Sequence, residues 1–346
     1  MSASTASSDP DHRYSIFEAG DVRLQSGATL PDARLAYKTL GRLDDERSNT
    51  VVLTTPFGAH HTDIEWMVGP GRAIDPQRHF VVLMNLFGNG LSSSPSDTSS
   101  APAGKDWPGC TITDNVRAQE RLLREVFGIE RIELACGFSM GGIQAYHWAA
   151  LFPERVRRFA AICGAARCSA HNHVFLEGVK AVLTAGMQVE NGRLVGAERG
   201  LRAVGRVFAG WAVSQAFYRE ELWRSLGCAS VEDYIVSVWE ANFVRRDARN
   251  LLAQIQTWQC ADISDNDLYG SDLDRALGAI RAKGLVMPGE TDLYVHREDC
   301  RLEAERVAGA RFLPIPSKWG HRAGARGRGT DEDRFIEQAL TELLAS

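Results

Sequence analysis

The stretch Cys136-Gly137-Phe138-Ser139-Met140-Gly141-Gly142 sets a serine between two glycines, directly after the apolar run 132–135 and directly before the helix-like run 143–152. A serine hydroxyl attacks a carbonyl carbon only when a base removes its proton, and that base needs a carboxylate to fix its tautomer. A Gly-x-Ser-x-Gly pentamer alone is a weak signal, because a tight strand-to-helix turn explains it equally well. Its surroundings strengthen it. A buried strand has to turn sharply into a helix at Ser139, and small residues at 137, 141 and 142 relieve the crowding of such a turn. Ser139 then falls at a helix N-terminus, where unpaired N–H groups favour a developing oxyanion.

In the general pattern of serine elbows of this kind the order is nucleophile, acid, histidine, with the base late in the chain in a loop after the last strand, and His321 in "IPSKWGHRAG" matches that place. His147 lies inside the helix after the serine, His60 and His61 follow the first buried strand, and the remaining histidines suit the role less by order or context. The acid belongs after a preceding strand. Asp292 in "GLVMPGETDLYV" fits, with Glu290 two residues away as its competitor; Asp265, Asp267 and Asp272 occupy a polar linker with no strand ahead. An oxyanion would be held by the N–H of Met140 and by a second N–H from the loop "TTPFGAHH". Pro56 has no N–H to donate, so Phe57 is the second donor, with Gly58 in reserve.

The elements that must position these groups are legible as a rhythm. Short apolar stretches at 50–58, 79–88, 131–137, 158–164, 284–289 and 310–317 end in Gly, Pro or Ser and run continuously rather than alternating, as expected of parallel strands buried on both faces. Residues 21–41 read as two short antiparallel strands joined at Ser26-Gly27. Helical patterns fill 113–127, with Thr113 or Asp114 as N-cap, a stripe through Val116, Leu123 and Val126/Phe127, and Gly128 as stop, and 142–151, closed by Pro153. Alternating strands and helices give an α/β class with a mostly parallel central sheet flanked by helices. The alternation breaks after Cys163. The residues up to Leu285 carry almost no strand pattern but three helical stretches, near 173–185, 199–226 and 230–258, more than one crossover needs. The reading is a core made of 13–165 and 275–346, a helical lid insertion over 166–274, and a disordered tail over 1–12. Four tryptophans (Trp211, Trp223, Trp239, Trp258) fall in the insertion, as a second hydrophobic core or as part of an acyl pocket.

Composition excludes other classes. Lys and Arg total 39 against 44 Asp and Glu, a formal charge of -5, without the basic excess that holds a nucleic acid backbone. No window reaches eighteen consecutive apolar residues and the N-terminus lacks a signal-peptide pattern, so the expectation is a cytoplasmic protein with no membrane partner. Seven scattered cysteines without C-x-x-C spacing argue against a disulfide framework or a zinc site and read as buried free thiols. No nicotinamide, flavin, Walker or metal-ligand pattern is present, so no bound cofactor is expected.

Over nearly its whole length, through "LAYKTLG", "VGPGRAIDPQRHFVVLMNLFGNGLSS", "TITDNVRAQERLLREVFGI", "GFSMGGIQAYHWA", "ALGAIRAKGLVMPGETD" and "SKWGH", the chain resembles the homoserine O-acetyltransferase family of α/β-hydrolase-fold proteins. The resemblance implies a Ser-Asp-His triad at Ser139, Asp292 and His321, and acyl-CoA as cosubstrate if the protein is a transferase. It also implies a place near the active site for Arg117, whose other reading is a salt-bridged helix residue, and for Asn85 along the cavity; it leaves a homodimer through the lid open. The chain departs from the family after the histidine. The acetyltransferases continue His-Asp, the acid helping to hold the substrate's amino group, whereas here Arg322 follows His321 and would repel an ammonium and favour a carboxylate. The segment "CGAARCSAHNHVF" is also unlike theirs. The expected activity is therefore hydrolysis of a small-molecule ester or amide through a Ser139 acyl-enzyme. The alternatives are an O-acyltransferase serving a small alcohol or amine, and a non-catalytic protein that binds a small ligand in the same pocket.

Overall fold

The continuous apolar runs become the centre of one sheet in the computed structural model, which describes residues 4–5, 13–97, 107–190 and 193–346. In chain order the strands are β1 (Ser4–Thr5), β2 (Ser15–Arg23), β3 (Thr29–Leu40), β4 (Thr50–Thr54), β5 (Phe80–Met84), β6 (Leu134–Phe138), β7 (Arg158–Ile162), β8 (Gln188–Glu190), β9 (Arg193–Val195), β10 (Lys283–Met287) and β11 (Ala310–Phe312). The main sheet runs β1-β2-β3-β5-β4-β6-β7-β10-β11. Its β1, β2, β3 and β5 pair antiparallel, and every pairing from β5/β4 to β10/β11 is parallel. Every residue of β4, β5 and β7 is buried, because helices cover both faces, and this is why these strands read as unbroken apolar runs. The tail expected over 1–12 lies, apart from Ser4 and Thr5, outside the described residues.

The helices are α1 (Ile112–Phe127), α2 (Met140–Leu151), α3 (Ala170–Thr184), α4 (Ala197–Trp211), α5 (Gln215–Arg219), α6 (Val231–Tyr234), α7 (Ala241–Val244), α8 (Ala248–Gln259), α9 (Leu273–Gly278), α10 (Arg297–Ala304) and α11 (Asp331–Ala345). In α1 the N-cap is Thr111, not Thr113 or Asp114: its side chain accepts from the Asp114 N–H, and Asp114 returns the bond as the other half of a capping box. Gly128 ends the helix in the left-handed conformation, as read. Val126 lies off the buried stripe, 41% exposed. All of α2 is buried, which fits its largely apolar sequence, with Gln144 and His147 hydrogen-bonded, and its packing on β6, β7 and α1.

The chain between β7 and β10 is mostly helical, with two corrections. It contains the antiparallel pair β8/β9. Its long helical stretches are also broken into short helices, since Ser214, Ser230 and Asp247 each turn a side chain back onto a following backbone N–H and restart the helix. All seven cysteines are free, but Cys260 is exposed and Cys168 half-buried. No described helix is long and apolar enough to cross a membrane.

Candidate active site

Strands β4, β6, β10 and β11 deliver their carboxyl ends to one edge of the sheet, and the loops after them carry Phe57, Ser139, Asp292 and His321. Ser139 sits between β6 and α2 with φ 57° and ψ −124°, a conformation that costs a residue with a Cβ on the order of 1–3 kcal/mol. The surroundings enforce it. The Ser139 N–H bonds Ile162 O at 2.8 Å and its carbonyl accepts from Ile143. The glycines are required by close approach: a Cβ on Gly141 would lie 2.3 Å from Thr54 O, one on Gly137 2.4 Å from the Gly141 carbonyl carbon, and one on Gly142 3.0 Å from Gly164 Cα.

Asp292 follows a turn closed by its own N–H on Gly289 O at 3.1 Å. Its Oδ1 accepts the N–H groups of Tyr294 and Val295 at 3.1 and 3.0 Å, which leaves Oδ2 for His321 Nδ1 at 2.6 Å. The Thr291 hydroxyl donates to Ser317 O at 2.9 Å and accepts from the Gly320 N–H at 3.1 Å, tying the acid's loop to the histidine's loop. His321 Nε2 then meets Ser139 Oγ at 2.8 Å. The three side chains form one hydrogen-bonded line, each at most 5% exposed, with the imidazole flanked by Tyr294 (ring centroids 4.2 Å) and Phe138 (5.0 Å). Glu290, the competing acid, is half-exposed and lies 3.5 Å from Arg297.

Cys163 joins Asp292 and His321 in a cluster whose ligand-type atoms lie within 4.8 Å of one another. Burial pushes its thiol well above the ordinary range, and Asp292 adds to the effect. Both nitrogens of His321 are already committed to Asp292 and Ser139, so the cluster is better matched to proton transfer along that line than to holding a cation.

The line opens into a cavity of about 400 Å³ walled by aromatic rings, among them Phe57, Phe208, Trp239, Phe243 and Trp258. Of the four insertion tryptophans, Trp239 and Trp258 reach it. Among the described residues no hydrogen bond takes up the N–H of Phe57 or Met140, whereas the Gly58 N–H is occupied by Gln254 Oε1 at 2.7 Å. Arg322 lines the cavity, with its guanidinium 6.0 Å from the Trp239 ring centre.

Two residues sit elsewhere than expected. Asn85 is fully buried: its Nδ2 donates to Ala36 O at 3.1 Å, and its Oδ1 accepts from the His61 N–H at 3.1 Å and Asn89 Nδ2 at 2.8 Å, so it braces the loop after β5. Arg117 points outward from α1 and pairs with Asp267 on the surface. Several residues at the site went unread in the sequence, among them Tyr294, Phe138 and Arg246. Tyr294, two residues past the acid, was open to inference from that spacing; Phe138, next to the serine, and Arg246, in an ordinary-looking charge run, carried no such signal.

Residues 57–321 match the family described as alpha/beta hydrolase fold. The chain is 33% identical over 337 residues to the ethyl acetate hydrolase of Pseudomonas veronii, which covers 96% of each sequence. Among solved structures, an acetylester hydrolase from Corynebacterium glutamicum is similar with a TM-score of 0.91 at 31% identity, covering 97% of each chain. A homoserine O-acetyltransferase of Mesorhizobium japonicum is 31% identical over 340 residues, covering 87% of this chain and 86% of that one. The likeness to homoserine O-acetyltransferases is thus one relation within a wider family whose esterases match more of the chain.

Proposed function

This chain belongs to the alpha/beta hydrolase family and is a serine-dependent acyl-transfer enzyme, and from that premise we propose that it hydrolyses small carboxylic esters through a Ser139 acyl-enzyme. The observation that carries the proposal is the assembled Ser139–His321–Asp292 line at the floor of a small aromatic cavity.

Ser139 Oγ attacks the ester carbonyl carbon while His321 Nε2 takes its proton, and Asp292 holds the opposite nitrogen and stabilises the imidazolium. The carbonyl oxygen becomes an oxyanion received by the N–H groups of Met140 and Phe57. When the tetrahedral adduct collapses, the C–O bond to the alcohol breaks and His321 returns the proton to the leaving oxygen. Water then repeats the sequence on the acyl-serine, releasing the acid and restoring Ser139.

Arg322 supports water over the homoserine route, because a guanidinium beside the base repels the ammonium of an amino-alcohol acceptor. The two full-length ester-cleaving relatives point the same way. The test is a panel of acyl donors, acetyl and longer alkyl esters and acetyl-CoA, incubated with enzyme with and without homoserine or serine, the products weighed by mass spectrometry. Free acid should form at a rate that no acceptor changes, and Ser139→Ala should abolish it. Acylated acceptor as the main product would replace this reading with the transferase one.

A further inference from the structure

We propose that the catalytic cavity selects esters that carry a carboxylate, held by Arg246 and Arg322; the inference rests on the ester-cleaving reading of Ser139. Among the described residues four guanidinium groups, Arg245, Arg246, Arg322 and Arg326, line the cavity against a single carboxylate, Asp63. Two of the four are engaged by the protein. Arg326 lies over the Trp319 ring at 3.0 Å and 3.8 Å from Glu332. Arg245 lies 3.6 Å from Asp63 and donates to Asn242 Oδ1 at 2.9 Å.

The other two have no carboxylate partner among the described residues. Arg246 reaches the neutral Asn242 Oδ1 at 3.2 Å, and Arg322 faces the Trp239 ring. Burial, reinforced by Arg245 and opposed by Asp63, draws the Arg246 guanidinium down to about 10, which leaves it cationic at neutral pH yet poorly solvated. A poorly solvated cation that shares its nearest carboxylate, Asp63, with Arg245 is under-compensated, and a substrate carboxylate supplies both the charge and paired acceptors for the guanidinium fork.

Position makes the two arginines suitable for substrate. Arg246 packs on the loop after β4: a Cβ on Gly58, the residue after Phe57, would come within 3.3 Å of its Cδ and Nε. Arg322 directly follows the base. Both cations therefore border the place where the ester must lie, and the volume of about 400 Å³ suits a short-chain ester with one added carboxylate.

The test compares kcat/KM within two pairs that differ by carboxylate against methyl ketone: monoethyl succinate with ethyl levulinate, the charge on the acyl side, and acetoxyacetate with acetoxyacetone, the charge on the alcohol side. Each value is corrected for the ester's own rate with hydroxide. At least one pair should favour the anion, and Arg246→Gln or Arg322→Gln should lower that ratio by roughly ten- to hundredfold, the range of charge-assisted hydrogen bonds. A ratio within one protein preparation is insensitive to loss of folded enzyme. The proposal is overturned if neither ratio exceeds one, or if both variants leave the ratio where it was. Should every ester resist cleavage, the hydrolase reading fails by itself, and the anion site is read by succinate slowing the labelling of Ser139 by a phosphonate fluoride. Protection in the wild type that R246Q or R322Q removes supports the site; absence of protection, or protection that both variants keep, overturns it.

Discussion

Asp292→Asn isolates what the carboxylate does for His321, because the substitution keeps the shape of the side chain while it changes a lone pair into N–H groups and removes the charge that stabilises the imidazolium. Oδ1 accepts two backbone N–H groups, from Tyr294 and Val295, at 3.1 and 3.0 Å. An asparagine amide has one acceptor oxygen. Turning its NH2 toward those two donors would leave two buried N–H groups unpaired, at about 1–3 kcal/mol each. The amide oxygen therefore takes the Oδ1 place and the NH2 faces His321 Nδ1, which must become the acceptor. The imidazole proton moves to Nε2, and Ser139 Oγ, 2.8 Å away, meets an N–H where it needs a base. The geometry stays and the tautomer is wrong, a change that costs roughly 10⁴ in kcat in sites of this type, or about 5.4 kcal/mol of barrier. The measurement is kcat on saturating p-nitrophenyl acetate beside the thermal midpoint, which should move little. A folded D292N enzyme retaining kcat within about tenfold of wild type would refute the argument that Asp292 sets the tautomer.

Further expectations follow from buried groups. Glu303 accepts the Ala166 N–H at 2.8 Å, and its carboxyl is pushed up to about 8, chiefly by burial, with Asp299 adding to it and the Ala166 and Arg167 N–H groups opposing. Below the ordinary value of 4.5 both folded and unfolded chains hold this proton and the fold keeps its full stability; between 4.5 and about 8 only the unfolded chain ionises, so stability falls as pH rises, by about 1.4 kcal/mol per unit. Glu303→Gln keeps the acceptor and removes that loss, so its advantage in thermal midpoint over wild type should widen from pH 5 to pH 8; a constant difference would contradict the assignment. At the elbow, Ser139→Gly should be more stable than Ser139→Ala by about 1 kcal/mol in urea unfolding, since both lose the hydroxyl but only glycine relieves the positive φ, less its own entropy cost. Equal stabilities would mean that the strain is not borne by the Cβ.

The parts of the fold and site that could be read in sequence are those where backbone geometry dictates residue type. Gly137, Gly141 and Gly142 are legible because a Cβ would collide with backbone, and Pro56 is legible as a non-donor because it lacks a proton. Asp292 and His321 are legible by chain order, a pattern of the family and not a consequence of the sheet, and each falls in a loop after a strand that ends at the same sheet edge. Asn85 and Arg117 misled for the opposite reason. A buried amide that satisfies loop backbone and a surface arginine on a helix look, in one dimension, like groups near a substrate. The insertion was legible as helical but not in its breaks, because serine caps such as Ser214 and Ser230 are ordinary residues until their hydroxyls face a free N–H. The cavity's arginines were the least legible. Arg245 and Arg246 come from the insertion and Arg322 and Arg326 from the loop of the base, and only folding places all four around one nucleophile.

That division bears on what the scaffold leaves free to change. The elbow, the acid's turn and the Thr291 link between the two loops are set by backbone contacts that tolerate few side chains, so the line from Asp292 to Ser139 is built into the way the sheet edge closes. The cavity wall is built differently. Arg322 occupies one position beside the base and Arg246 one position between α7 and α8, and among the described residues no hydrogen bond ties either side chain to a strand. A charge reversal at either would leave the nucleophile's geometry standing while inverting the electrostatic character of what can approach it. Members of one family can therefore share the acyl-serine step and differ in the molecule that delivers or receives the acyl group. In this chain Arg246 and Arg322 are the two positions proposed to carry that difference.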